Sequence, residues 1–347
     1  MLDMFSEPVL VAVVGLIGGL GLGLAARLGR FCTLGAIEDF YYGGSDARLR
    51  MWMVAIGVAV IGSFLAVGAG SLTLTDTIYL NGWNPIASIL GGALFGYGMA
   101  MSGNCGYGAL ARLGGGDLRS FVIVLVMGLA AYATLSGPFA ELRVFLFPPI
   151  VDGYGGLAGI LSAASGLSPA VIGVVIGAIL IGLGLSRANP TDQRAALTWG
   201  GLVGIAVVSG WVGTQWIATN GFDDLPVVSH TFSAPIGESM LFLMTSSGGV
   251  LSFGIGSVAG VLGGAFIGSL IKGHFRWEAC EDPRELTRQI GGACLMGIGA
   301  VIAMGCSVGQ GISAFSVLAL SAPLTLGAIF LGAKFGLEHL IAGFDRI

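Results

Sequence analysis

Three cysteines share one local context. Cys32 follows Gly29-Arg30-Phe31 and heads Cys32-Thr33-Leu34-Gly35. Cys105 lies in Gly103-Asn104-Cys105-Gly106-Tyr107-Gly108, and Cys306 in Gly305-Cys306-Ser307-Val308-Gly309-Gln310-Gly311. Each therefore heads a C-x-x-G, where a glycine-rich apolar run ends and a short apolar helix is expected to begin. Glycine supplies the backbone freedom for such a break. The new helix offers unpaired N–H groups and about half a positive charge at its start, which suits an anion. The loops around Cys105 and Cys306 carry no cationic side chain of their own, so these backbone donors are expected to supply the charge. A thiol is a small, polarisable, weak donor, better matched to a soft sulfur atom than to a hard oxyanion. The chemistry these residues suit is recognition of a small anion with exposed sulfur. The candidate path residues are Cys32, Cys105 and Cys306, with Asn104, Gly106, Gly108, Ser307, Gly309 and Gln310.

Other chemistries find less support. Cys294, in Ala293-Cys294-Leu295, reads as packing, and Cys280, in a charged loop, reads as incidental. Disulfides are not expected, because the loops with Cys32 and Cys105 start on the opposite side of the membrane from Cys306. The three histidines, His230, His274 and His339, show no ligand spacing, and C-x-x-C is absent, so no metal or other cofactor is expected. No histidine accompanies the cysteine motifs in sequence as a base, so no catalytic residue is assigned. The Gly114-Gly115-Gly116 run lacks the lysine and strand context of a nucleotide loop. Glu38 and Asp39, beside Arg30, read as a charge pair at the membrane surface. Lys334, Glu338 and His339 in the last apolar run are ionisable groups near membrane depth; Lys334 either draws an anion inward or snorkels to the surface.

The elements that position the cysteines follow from composition. Charged residues make up 10% of the 347 and hydrophobic ones 55%, and the mean hydropathy is +0.91; a soluble domain carries about 25% charge. The solvent such a surface suits is lipid. The 62 glycines allow close helix approach and broken helices in a bilayer. A pI of about 5.3 argues against nucleic acid as a partner. The run 8–26 lacks a basic leader region and reads as a first span rather than a signal peptide.

Nine apolar runs are long enough to cross about 30 Å of hydrocarbon: 8–26, 51–69, 86–102, 121–140, 169–186, 197–218, 249–271, 287–303 and 323–342. Four shorter apolar segments, 33–42, 106–113, 237–247 and 310–321, are expected to be re-entrant, and 141–168 an irregular connection. With nine spans, Arg143 alone of the fifteen Lys and Arg residues falls on the side of the N-terminus. Thirteen fall on the other side, and Lys334 lies within the last span. Since cytoplasmic loops carry the Lys/Arg excess, the N-terminus is expected outside and the C-terminus in the cytoplasm. Gly91-Gly92-Ala93 precedes Cys105 by 14 residues, and Gly291-Gly292-Ala293 precedes Cys306 by 15. These copies follow the third and eighth spans and so run in opposite directions, the inverted-repeat design of secondary transporters. The expectation is an all-α polytopic membrane protein forming one transport domain over 1–347. A first repeat covers about 8–140, a linking helix about 169–186 and a second repeat about 197–342.

These residues resemble the YeeE/YedE family of sulfur-transport membrane proteins, whose characterised members take up thiosulfate. The resemblance rests on Gly29-Arg30-Phe31-Cys32, on the run from Gly103 to Gly114, on Phe275-Arg276-Trp277, and on the run from Gly305 to Gly311. In place of the family's double glycine before the cysteines, this chain has Gly103-Asn104 and Met304-Gly305. The resemblance implies nine spans with short re-entrant helices, a narrow centre, and cysteines along the substrate path. It also implies the bacterial inner membrane and a cytosolic TusA-like sulfur-carrier protein as partner. Uptake of thiosulfate or a closely similar sulfur anion is the leading expectation. The alternatives are a membrane sensor of sulfur species, an intramembrane sulfurtransferase or thiol redox enzyme, and a transporter of a selenium or other sulfur compound.

Overall fold

The computed structural model describes residues 6–150, 156–186, 188–279 and 282–344. Cys280, expected to be incidental, lies outside them. Among the described residues the fold is helical, without a β-strand. In order, the helices are α1 (Glu7–Leu28), α2 (Thr33–Tyr41), α3 (Ala47–Gly68), α4 (Pro85–Ser102), α5 (Gly106–Gly114), α6 (Leu118–Leu135), α7 (Ala140–Leu146) and α8 (Gly156–Ser165). They continue with α9 (Pro169–Leu185), α10 (Pro190–Ala195), α11 (Gly201–Asn220), α12 (Ser233–Thr245), α13 (Phe253–Ile271), α14 (Pro283–Ile302) and α15 (Ser321–Phe344). A π-helical turn, Ala196–Gly200, joins α10 to α11, and another, Gly309–Ala314, forms the centre of a short helix after Cys306.

Helix starts carry the expected chemistry. Asn84 caps α4 by accepting from the Ile86 and Ala87 N–H groups, and Asp282 caps α14 by accepting from Arg284 N–H. Proline follows each cap at the first helical position, where its missing N–H costs nothing.

Each of the nine expected spans has a helix in its place, but the count of nine is not confirmed. Among the described residues seven helices are long and apolar enough to cross a membrane, or eight if the bent pair α8–α9 is one span. The helix α9 has only 17 residues, and α14 opens on the charged turn Pro283-Arg284-Glu285 before its apolar stretch begins. The connection at 141–168, expected to be irregular, instead holds α7 and α8, and α8 meets α9 at a bend of 114°. The four short apolar segments appear as α2, α5, α12 and the short helix after Cys306.

Glycine stripes set the packing. Along α1, Gly15, Gly19 and Gly23 lie against the backbone of α13, whose Gly256, Gly260 and Gly264 lie against α1. Without a water-driven force between helices in lipid, such close approach is what holds them together. The helices α4 and α14 cross antiparallel: Gly91 faces Gly299, and Gly98 faces Gly292. A Cβ at Gly98 would come within 2.5 Å of the Gly292 carbonyl, and one at Gly292 within 2.7 Å of the Gly98 carbonyl. The neighbours of the two halves correspond: α1 packs on α13 and α3 on α11, while α4 packs on α15 and α14 on α6.

Candidate functional site

Each of the three cysteine turns uses the same backbone device. The residue two positions before the cysteine is left-handed: Arg30 at φ 56°, Gly103 at φ 75° and Met304 at φ 57°. That conformation ends the incoming helix and reverses the chain in one or two residues. Cys32 and Cys105 then sit in extended conformation as the N-caps of α2 and α5. The Cys105 sulfur accepts from Gly108 N–H at 3.3 Å, and the Cys306 sulfur accepts from Gly309 N–H at 3.4 Å. Both thiols therefore lie against the first turn of a short helix, where the N–H groups gather.

A threonine stands beside each of these two sulfurs. Thr33 Oγ1 is 3.9 Å from the Cys105 sulfur and donates to Ser307 Oγ at 3.0 Å. Thr231 Oγ1 lies 3.6 Å from the Cys306 sulfur. Thr33 follows Cys32 in the chain and Ser307 follows Cys306, so the three cysteine turns meet around Thr33. Aromatic rings pack the same centre: Phe31 stacks on Trp52 at 4.8 Å, and Tyr107 lies 5.3 Å from Phe232 and donates to the Leu22 carbonyl. Cys105 and Cys306 are buried, whereas Cys32 is partly exposed.

Two cavities approach this centre from opposite ends of α1. At its C-terminal end, a cavity of about 320 Å³ is lined by Cys32, Asn104 and Gly108, and by Arg27, Arg30, Arg48, Arg112 and Lys272. Five cations against one carboxylate, Glu38, make this mouth strongly positive. Burial, then repulsion from Arg30 and Arg27, hold Lys272 below the usual lysine range. At the N-terminal end of α1 a more apolar cavity of about 240 Å³ reaches Thr231 and includes Glu238. The buried cysteines lie between them.

The absence of cations in the cysteine loops' own sequence thus does not carry over to the folded site. Arg48 and Lys272 arrive from distant parts of the chain, which no local pattern reveals. Among the expected path residues, Cys32, Asn104 and Gly108 line the basic cavity. Ser307 and Gly309 lie at the buried centre, Gly309 close to Thr231 and Tyr79. Gly106 is not brought to the cavity and packs on Met127 of α6. Gln310 braces its own turn: its Nε2 donates to the Ala303 and Met304 carbonyls, and its Oε1 accepts from Ser321 Oγ. Sequence reasoning missed Thr33 and Thr231; only Thr33, adjoining Cys32, carried a sequence signal. Asp39 pairs with Arg48 at 3.1 Å rather than with Arg30. Lys334 does not reach the site, since it pairs with Glu338 at 3.7 Å and lies over the Tyr41 ring. Cys294 is partly exposed within α14. No group of His, Cys, Asp and Glu suited to a metal occurs among the described residues.

The profile of the sulphur transport family matches residues 28–335. The chain belongs to that family. It is 26% identical over 329 residues to the thiosulfate transporter TsuA of Spirochaeta thermophila, covering 92% of this chain and 96% of that one. It is 25% identical over 319 residues to the thiosulfate transporter TsuA of Escherichia coli (strain K12), covering 86% of each. The matched region spans all three cysteine turns and both cavities' central walls. Together with its apolar helices, this makes the chain a multi-pass membrane protein of sulphur transport rather than an enzyme.

Proposed function

We propose that this protein takes up thiosulfate, or a closely similar small sulfur anion, across the bacterial inner membrane. The observation that carries the reading is the pairing of two buried thiols with hydroxyl and backbone donors, Cys105 with Thr33 and Gly108, and Cys306 with Thr231 and Gly309. Each pair offers a soft sulfur contact and polar donors to one small anion. The substrate passes Cys306, Cys105 and Cys32 in turn, with Asn104, Gly108, Ser307 and Gly309 beside them and Gly106 and Gln310 shaping the turns. The basic mouth is the cytoplasmic end, in keeping with the Lys/Arg excess there, and the N-terminus lies outside. The two halves, about 8–140 and 197–342, act as inverted repeats joined by the helix at 169–186; the corresponding helix neighbours support this division. A cytosolic TusA-like sulfur-carrier protein is the partner that would receive the sulfur at the basic mouth.

The test is growth of a strain deficient in thiosulfate uptake on thiosulfate as sole sulfur source. Restored growth and labelled-thiosulfate uptake are expected with this protein; membrane-inserted protein without either outcome overturns the reading.

A further inference from the structure

A third cavity lies at the opposite end of α4 from the basic mouth, beside the turn that leads into Cys306. It has a volume of about 220 Å³ and is lined by Trp83, Asn84 and Ser88 at the start of α4, by Arg143 of α7, and by Met304 and Ser321. The basic mouth includes Gly103 and Asn104 at the other end of α4. The 18 residues of that helix place the two cavities about 27 Å apart.

The residues that line this cavity are suited to an anion. Arg143 is the one Lys or Arg residue in the connections on this side. Among the described residues no carboxylate pairs with it, and its buried Nε has no acceptor. The Trp83 indole N–H is buried and unpartnered in the same wall. Buried donors are usually paired, and an anion in this cavity would give both of them an acceptor. The start of α4 adds the positive end of a helix. The end of α14 would oppose it with exposed carbonyls, but Gln310 Nε2 donates to the Ala303 and Met304 oxygens and withdraws them. Among the described residues no carboxylate lines this cavity, whereas the apolar cavity beside Thr231 includes Glu238 and no cation. An anion entering from this side is drawn to Arg143 and repelled from Glu238.

We propose that the Arg143–Trp83 cavity captures the incoming sulfur oxyanion before it reaches Cys306; this rests on the transport reading above. The link inward is short. Gln310 accepts from Ser321, which lines the cavity, and its backbone N–H donates to the Cys306 carbonyl. The cavity wall is thus hydrogen-bonded to the turn that carries the thiol.

The experiment measures initial rates of labelled-thiosulfate uptake against concentration, in cells lacking their own thiosulfate transporter and expressing the full chain. Arg143→Gln is expected to raise KM about tenfold with Vmax within about twofold, and Arg143→Lys to stay within about threefold of wild type. Trp83→Phe, which keeps the ring and removes the donor, is expected to raise KM about threefold. Higher salt should raise the wild-type KM toward that of Arg143→Gln, because an accessible charge is screened. An unchanged KM in Arg143→Gln, or a loss confined to Vmax or to membrane-inserted protein, overturns the capture site; the second outcome marks a structural or headgroup anchor. No uptake by the wild type overturns the transport reading and this inference together.

Discussion

Thr33 and Ser307, 274 positions apart, share a 3.0 Å hydrogen bond at the buried centre of the protein. Thr33 begins the short helix after Cys32, and Ser307 follows Cys306. The same threonine hydroxyl lies 3.9 Å from the Cys105 sulfur. One side chain therefore ties together all three cysteine turns, and on the proposed path a passing anion would disturb it.

Removing that hydroxyl while keeping the shape tests its role. Thr33→Val is expected to lower thiosulfate uptake about tenfold, with a stability cost of about 1 kcal/mol for the lost hydrogen bond. Thr33→Ser should retain most uptake. Uptake rates alongside thermal unfolding of the purified variants measure this. Equal activity of the valine and wild-type proteins would show that the bond is only structural.

The thiols themselves should divide into two groups. Cys105→Ala and Cys306→Ala are expected to remove most uptake while leaving folded protein in the membrane. Cys294→Ala should stay close to wild type, because it lies in α14 away from the paired turns.

Selectivity should reside in the sulfurs and not in the basic mouth. Sulfate and thiosulfate carry the same charge, so the five cations at that mouth favour neither. A site that leaves two sulfate oxygens unpaired loses about 1–3 kcal/mol for each, which gives discrimination of about 10²-fold or more. Unlabelled thiosulfate should therefore outcompete sulfate against labelled thiosulfate in vesicles. Cys105→Ser and Cys306→Ser should erode that preference as well as the rate. Equal inhibition by the two anions in the wild type would refute the soft-sulfur role.

Arg30 combines a strained backbone with a place in the basic mouth. A left-handed non-glycine residue costs about 1–2 kcal/mol, and such strain is commonly retained where function needs the side chain. Arg30→Gly is expected to raise stability by about 1 kcal/mol and yet lower the uptake rate severalfold. Thermal unfolding and uptake of one preparation check both halves. A variant that is more stable and fully active would remove Arg30 from the path.

Close helix contacts predict where a methyl group is tolerated. Gly98→Ala drives a Cβ to within 2.5 Å of the Gly292 carbonyl and should cost about 1–3 kcal/mol, as overpacking does. Gly182→Ala meets nothing within 4 Å and should be neutral or mildly stabilising, since alanine is the better helix former. The unfolding midpoints of the two variants in one detergent decide this.

The sequence alone determined the class of this protein and the positions of its long apolar helices. Low charge, apolar runs of membrane length and glycine-rich breaks follow from local composition, and lipid leaves helices as the natural way to satisfy the backbone of such runs. The cysteine turns were legible for the same reason, since Gly103-Asn104-Cys105 and Met304-Gly305-Cys306 carry their own breaks and short helices. What the tertiary structure decided is everything that depends on distant residues meeting. Thr33 finds Ser307 and Cys105, Thr231 finds Cys306, and Arg48 and Lys272 gather beside Cys32 from distant parts of the chain. Gly106, two residues before Gly108, turns instead to Met127, because positions two apart on a helix face different neighbours. The count of nine spans is not confirmed: the charged first turn of α14 and the 17 residues of α9 leave those two helices at the margin of membrane length and apolarity. Hydropathy measures each segment by itself, whereas a charged or short helix is tolerated or not according to the neighbours that shield it from lipid.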